Sequence, residues 1–136
     1  MKTKLTLAVS VFLLLIGSLA AQKMGKITVS TSFKGIIEGY DHINKTQLYI
    51  DGALAGESPE SPESKPITFS ADVPRGKHQV YVINLASYEG KWEEHTKDNN
   101  YSIDASYRGE IKLKKKVDIN LVFDIDKEEA QVKIKK

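Results

Sequence analysis

Ile111-Lys112-Leu113-Lys114-Lys115-Lys116-Val117-Asp118-Ile119-Asn120-Leu121-Val122-Phe123-Asp124-Ile125-Asp126 is the stretch whose reading decides the fold class. Ile111, Leu113, Val117, Ile119, Leu121, Phe123 and Ile125 fall on odd positions, while Lys112, Lys114, Lys116, Asp118, Asn120, Asp124 and Asp126 stand between them. Successive side chains of a strand point to opposite faces, so a period of two reads as a half-buried strand. At about 3.3 Å per residue the run is long for one strand. A turn is therefore predicted near Lys114-Lys115-Lys116, giving two antiparallel strands. A last short strand, Gln131 to Ile134, follows Asp126-Lys127-Glu128-Glu129.

The same period recurs upstream. Ile27, Val29, Thr31 and Phe33 alternate with Thr28, Ser30 and Ser32. Leu48 and Ile50 alternate with Gln47 and Tyr49 and run into Asp51-Gly52. That dipeptide adopts the positive φ angles of a tight hairpin turn, so Ala53-Leu54-Ala55 is read as the returning strand. Ile67, Phe69 and Ala71 form another alternating run, and Pro74-Arg75-Gly76 supplies a turn after it. His78, Val80 and Val82, with Tyr81 and Ile83 between, read as a strand apolar on both faces. No stretch carries the 3.6-residue period of an amphipathic helix longer than about two turns. Roughly eight strands at this spacing predict one all-β domain, a β-sandwich. One segment stands apart. Glu57-Ser58-Pro59-Glu60-Ser61-Pro62-Glu63-Ser64 repeats a Glu-Ser-Pro triplet. Its prolines forbid a central strand and favour an extended, solvated surface insertion, with an acidic recognition loop or a phosphorylation site as the functional alternative.

The N-terminus has the layout of a secretory signal peptide. Lys2 and Lys4 form a cationic head, Leu5 to Leu19 is mostly apolar, and small residues follow at Ala20 and Ala21. Residues 1–21 are predicted to be a leader and 22–136 the single domain. The strongly apolar core of the leader, Leu7 to Ile16, is short for a membrane span, so no membrane insertion is expected after cleavage. The whole chain has 20 Lys and Arg against 18 Asp and Glu. Losing Lys2 and Lys4 leaves a mature domain of zero formal charge, which gives no electrostatic case for nucleic acid. Cysteine is absent, which excludes disulfides, thiolate metal sites and thiol nucleophiles. A cysteine-free exported domain of this size fits a bacterial periplasm or medium better than the disulfide-dense small domains of eukaryotic secretion. Two sequons, Asn44-Lys45-Thr46 and Asn100-Tyr101-Ser102, matter only in that eukaryotic route.

Leu48-Tyr49-Ile50-Asp51-Gly52-Ala53-Leu54-Ala55-Gly56-Glu57-Ser58-Pro59 resembles the opening of a PEGA domain. The resemblance continues through Val73-Pro74-Arg75-Gly76 and the strand Lys77 to Val82, and ends at Tyr88-Glu89-Gly90-Lys91-Trp92. It covers residues 48–92. It implies an immunoglobulin-like or transthyretin-like sandwich on an exported bacterial protein, with an interaction or scaffolding role and no catalytic residues.

Chemistry is sparse. His42, His78 and His95 are far apart in sequence and show no ligand spacing. Asp124, Asp126 and Glu128 alternate, but lack the glycine and distant glutamate of a calcium loop, and read as the exit turn of a strand. No nucleophile elbow, phosphate loop or zinc-protease motif occurs. The expectation is a protein that is not an enzyme and carries no cofactor, no metal and no catalytic residue. Aromatic residues are the better lead. Tyr88, Trp92, Tyr101 and Tyr107 are the candidate binding residues, and Tyr88 and Trp92, four apart, share a face if they lie in one strand. Trp92 is alternatively the core plug of the sandwich. Lys112, Lys114, Lys115 and Lys116 form a basic stripe, read as a guard against edge pairing, with anion binding as the alternative. The sequence thus predicts a periplasmic or secreted, non-enzymatic binding or scaffolding module at the bacterial cell envelope, acting on an envelope or extracellular protein. The alternative is a carbohydrate-binding module that stacks a polysaccharide on exposed aromatics.

Overall fold

A computed structural model describes residues 22–136, and the leader expectation lies outside them. Ten strands form: β1 (Met24–Lys34), β2 (Ile43–Ile50), β3 (Ala53–Glu57), β4 (Ser61–Pro62), β5 (Ile67–Pro74), β6 (Gly76–Tyr88), β7 (Lys91–Glu94), β8 (Ser106–Leu113), β9 (Lys116–Asp124) and β10 (Glu129–Lys135). They make two sheets. One has the order β10-β9-β1-β5. The other runs β3-β2-β6-β7, with β4 also on β2 and β8 also on β6. The protein is a β-sandwich, as the alternation predicts. The higher strand number arises because two edges are each built from two short pieces laid end to end. β3 and β4 share β2, and β7 and β8 share β6.

The inward residues of the alternating runs meet between the sheets. Ile27, Val29, Val117, Ile119, Leu121 and Phe123 come from one side, and Leu48, Val80, Val82, Ile111 and Leu113 from the other. Ile83 is also buried, on the opposite face of β6 from Val82 and outside this cluster. The outward face of the first sheet is hydroxylic. Thr28 Oγ1 and Ser70 Oγ lie 2.9 Å apart, and Ser30 Oγ and Thr68 Oγ1 lie 3.0 Å apart.

Two sequence expectations change. A turn does fall at Lys114-Lys115, but β8 and β9 do not pair as a hairpin. β8 lies in the second sheet, and β9 runs parallel to β1 in the first, from Lys26 opposite Lys116 to Lys34 opposite Asp124. The chain arches between sheets there, and the Lys26 N–H donates to the Lys115 carbonyl at 2.9 Å. Alternation fixes which side chains face inward, and two strands facing each other across a core satisfy it as well as two strands side by side. The second change is at residues 57–64, which are not a solvated insertion. Ser58 and Glu63 are buried, and Ser61-Pro62 pairs with Ile43-Asn44 as an edge strand. Proline is tolerated there because an edge strand need not donate on its outer side.

Polar groups are also buried between the sheets. Asn84 Nδ2 donates to Asn44 Oδ1 at 2.6 Å and lies 3.3 Å from Thr46 Oγ1. Thr46 Oγ1 meets Thr31 Oγ1 at 3.1 Å, and Asn44 Nδ2 donates to the Ser61 carbonyl at 2.6 Å. The folded state leaves Asn44 no room for a glycan.

The Asp51-Gly52 turn forms as read, with φ of 51° and 85°. Asp51 Oδ1 accepts the Gln79 N–H at 2.9 Å, and Oδ2 accepts His78 Nδ1–H at 2.6 Å. His78 Nε2–H donates to the Pro74 carbonyl at 2.6 Å. Both ring nitrogens face acceptors, which suits the imidazolium. Burial disfavours that charge, but Asp51 and the Pro74 carbonyl outweigh it and the His78 pKa is raised. The His78 and Gln79 hydrogen bonds hold the Asp51 carboxyl below its ordinary range.

Two expected outcomes follow from these contacts. Asn44→Ala removes the side-chain donor to the Ser61 carbonyl, leaves Asn84 Nδ2 only its longer contact to Thr46 Oγ1, and lowers stability by about 1–3 kcal/mol in urea unfolding. For His78, a raised folded pKa means that its contribution is complete below the unfolded value of about 6.5 and fades as pH rises through the folded value. Asp51 contributes above its unfolded value of about 3.9 and loses that contribution as pH falls through its depressed one. Stability measured against pH therefore declines on the alkaline side of about pH 6.5 in the native protein, and His78→Gln removes that part of the slope.

Candidate functional site

The cavity at one end of the sandwich is built by the segments that join the sheets. The chain between β1 and β2 contributes Ile37, Tyr40 and His42. The edge after β4 contributes Glu63, the β6–β7 hairpin Tyr88 and Glu93, and the segment before β8 His95 and Tyr101. The cavity measures about 490 Å³.

Glu63 is its deepest acid, only 2% exposed. Its place follows from the zipper that joins residues 61–64 to 41–44. The Glu63 N–H donates to the His42 carbonyl at 2.9 Å. Ser64 donates to Asp41 from its N–H at 3.0 Å and from Oγ at 2.6 Å, and these bonds hold the Asp41 carboxyl below its ordinary range. Alternation then turns Glu63 inward. Its Oε1 lies 3.4 Å from His95 Nδ1 and 3.8 Å from His42 Nδ1. Both are ion-pair distances if the imidazole is protonated, but neither contact has hydrogen-bond geometry, and Glu63 Oε1 and His95 Nδ1 are enclosed without a hydrogen bond.

His95 extends the inward face of β7. Its N–H donates to the Asn84 carbonyl at 2.9 Å and its carbonyl accepts the Ala105 N–H at 2.8 Å. The ring is stacked between Phe33, at a centroid distance of 5.0 Å, and Tyr101, at 4.2 Å. Tyr101 donates its hydroxyl to Glu93 Oε1 at 2.7 Å. Burial, then that hydrogen bond and the Glu93 charge, push the Tyr101 pKa far above the ordinary phenol range. His42 sits edge-on to Tyr88 at 6.4 Å and to Tyr101 at 6.1 Å.

The four aromatics singled out by sequence do not form one site. Tyr88 and Tyr101 both line the cavity. Trp92 does not, because Glu89-Gly90 forms a turn, with φ of 50° and 79°, between it and Tyr88. Trp92 pairs with Ser87 on the outward face, whereas Glu93 pairs with the buried Ala86. The expectation that Tyr88 and Trp92 share a face is therefore corrected: a two-residue turn separates them. Trp92 is no core plug either. It is 37% exposed, with Lys45 Nζ 4.4 Å from its ring centroid. Tyr107 packs against the core, its hydroxyl lying where a Cβ on Gly109 would stand, which explains the glycine.

His42, His95 and Glu63 carry the polar character of the cavity, and sequence spacing did not link them. The only signal was a glutamate inside a Ser-Pro edge, where register rather than composition decides burial. His78 lies elsewhere, bound to Asp51 and Pro74. Among the described residues, no group of three His, Cys, Asp or Glu side chains is placed to hold a metal ion. Asp124 Oδ1 accepts the Lys127 N–H at 3.1 Å and caps the β9–β10 turn.

No protein-family model matches the chain, and no curated protein matches it. Solved structures are similar at low identity. The membrane-binding domain of pneumolysin is 13% identical, with 84% of this chain and 97% of that one covered and a TM-score of 0.42. A candidate cell adhesion protein from Bacteroides ovatus is 11% identical, with 84% and 44% covered and a TM-score of 0.41. The human-specific toxin intermedilysin is 11% identical, with 85% and 24% covered and a TM-score of 0.40. The chain spans about a quarter of the whole toxins it resembles.

The local chemistry sets one expected outcome. In an alkaline absorbance titration of the six tyrosines, Tyr101 stays protonated through the range of about pH 9–11 in which free tyrosine ionises. Glu93→Gln removes the adjacent charge and brings the Tyr101 transition down.

Proposed function

We propose that the protein is an exported, non-enzymatic binding module of the bacterial cell envelope that acts through protein contacts, with the cavity end as its contact surface. The observation that carries this reading is the concentration of exposed apolar side chains around the cavity. Ile37 is 64% exposed, Tyr40 66% and Tyr88 52%. All three line the cavity. Contiguous exposed apolar surface on a small domain marks interaction sites, and tyrosine is favoured at interface hot spots because it combines a large apolar ring with a polar tip. The resemblance of residues 48–92 to a PEGA domain, which implies an interaction or scaffolding role, agrees with this reading. Export rests on the leader-like sequence of residues 1–21, and a bacterial envelope on the absence of cysteine.

Carbohydrate binding is the second reading, favoured by the exposed Trp92. Tyr49 and Tyr81 share the outward face of the second sheet with it, their ring centroids 5.9 Å apart. In that reading Tyr88 takes no part.

The test is a photo-crosslinking phenylalanine analogue placed at position 88, and separately at position 92, in the exported protein. The protein-contact reading expects a discrete crosslinked envelope protein from position 88 that Tyr40→Ala weakens. Glycan titrations should then leave the fluorescence of Trp92, the single tryptophan, unchanged. No crosslink at position 88, with Trp92 emission shifting on addition of a polysaccharide, reverses the order of the two readings.

A further inference from the structure

Glu63 and Glu93 both line the cavity, and none of its described lining residues is a lysine or arginine. Glu63 is buried without a hydrogen bond to Oε1, and His95 Nδ1 beside it is equally unpartnered. Glu93 is half-buried at the mouth and receives the Tyr101 hydroxyl. Glu63 Oε1 and His95 Nδ1 face each other at 3.4 Å without hydrogen-bond geometry, so the buried carboxylate is only weakly compensated by its neighbours. When the His42 and His95 imidazoles are uncharged, Glu63 and Glu93 carry the formal charge of the described lining, and low-dielectric walls concentrate the opposite charge there. Tyr88, Tyr101 and His42 set their rings around the same space, and aromatic faces attract a cation that has shed water.

We propose that the cavity is a receptor for an ammonium or guanidinium group on an aliphatic stem, presented as a lysine or arginine side chain of a bound polypeptide. The inference rests on the protein-contact reading and names what is contacted. The cation supplies charge opposite to Glu63 and Glu93, and its three or five donors suit a site rich in acceptors. Ile36, Ile37 and Ile125 on the cavity wall suit the stem. A polypeptide source is favoured over a free amine because Ile37, Tyr40 and Tyr88 of the cavity lining are strongly exposed and offer apolar surface to the flanking residues of a peptide.

The experiment is an NMR titration of the protein at pH 8, where free imidazole is uncharged. The probes are an end-capped lysine pentapeptide, the same peptide with norleucine in place of lysine, and cadaverine. Ring resonances of His42, Tyr88 and Tyr101 report binding. The lysine peptide should shift them saturably, the norleucine peptide should not, and cadaverine should bind more weakly than the peptide. Glu93→Gln should weaken the lysine peptide about three- to fivefold, with the remaining spectrum unchanged. Glu93→Gln is the deciding variant because Glu63→Gln alters a buried position and risks the fold. Equal binding of the norleucine peptide, no shift with any probe, or indifference to Glu93→Gln overturns the cation site. Cadaverine binding as tightly as the peptide overturns the polypeptide source. A crosslinked envelope protein at position 88 without lysine selectivity removes only this inference. Lysine selectivity with no crosslinked protein removes the protein-contact reading and leaves the cation site.

Discussion

Four polar side chains buried between the sheets hold the cavity end of this sandwich in register. Thr31 on β1, Thr46 and Asn44 on β2, and Asn84 on β6 form a continuous hydrogen-bonded chain. It crosses from one sheet to the other where an all-apolar core would allow the strands to slide. Unpaired amides in a low-dielectric interior are costly, so the register that pairs the Asn44 amide and the Asn84 Nδ2 group is favoured, although Asn84 Oδ1 stays without a partner. Asn44 then reaches the Ser61 carbonyl and ties down the edge strand β4. That tie, with the His42 carbonyl to Glu63 N–H bond, decides where Glu63 points. The cavity acid is thus a consequence of a structural network two residues away.

The opposite end is organised differently. There the chain passes between sheets at Arg75 and at Lys114-Lys115, and the first strand secures both arches. The Arg75 N–H donates to the Lys23 carbonyl, and Lys26 N–H to the Lys115 carbonyl. Arg75 Nε adds a bond to the Met24 carbonyl. β1 can do this because it lies inside its sheet, between the antiparallel β5 and the parallel β9. The Asp51–His78 pair sits at this end, remote from the cavity acid, so the acid–base chemistry of the two ends rests on separate groups.

The cavity and the outward face of the second sheet share one strategy with different partners. On the outward face two aromatics carry a cation: Lys45 lies over Trp92, and Arg108 over Tyr81 at 3.8 Å. In the cavity the rings have histidines and carboxyls, and no lysine or arginine is among the described lining residues. The contrast is one of charge: two rings of the outward face lie under basic side chains, and those of the cavity lie beside imidazoles and carboxyls.

Alternation in the sequence determined the fold class, because a side chain's inward or outward direction depends only on its own strand. It therefore exposed β1, the β2–β3 hairpin, β5, β6, β9 and most of the core. It also marked the Asp51-Gly52 turn, whose positive φ angles few other dipeptides adopt as readily. Tyr88 and Tyr101 were legible as exposed or interfacial aromatics. Which strands are neighbours was not legible, since a period of two is the same for a hairpin and for an arch between sheets. The parallel pairing of β1 with β9 and the separation of β8 from β9 were settled by long-range packing alone. The same reason hid the cavity: His42, Glu63 and the pair His95 and Tyr101 belong to three separate segments, and Glu63 lies in a Ser-Pro stretch that composition assigns to solvent. Only tertiary register, fixed by buried hydrogen bonds between strands distant in sequence, turns that glutamate inward beneath two imidazoles.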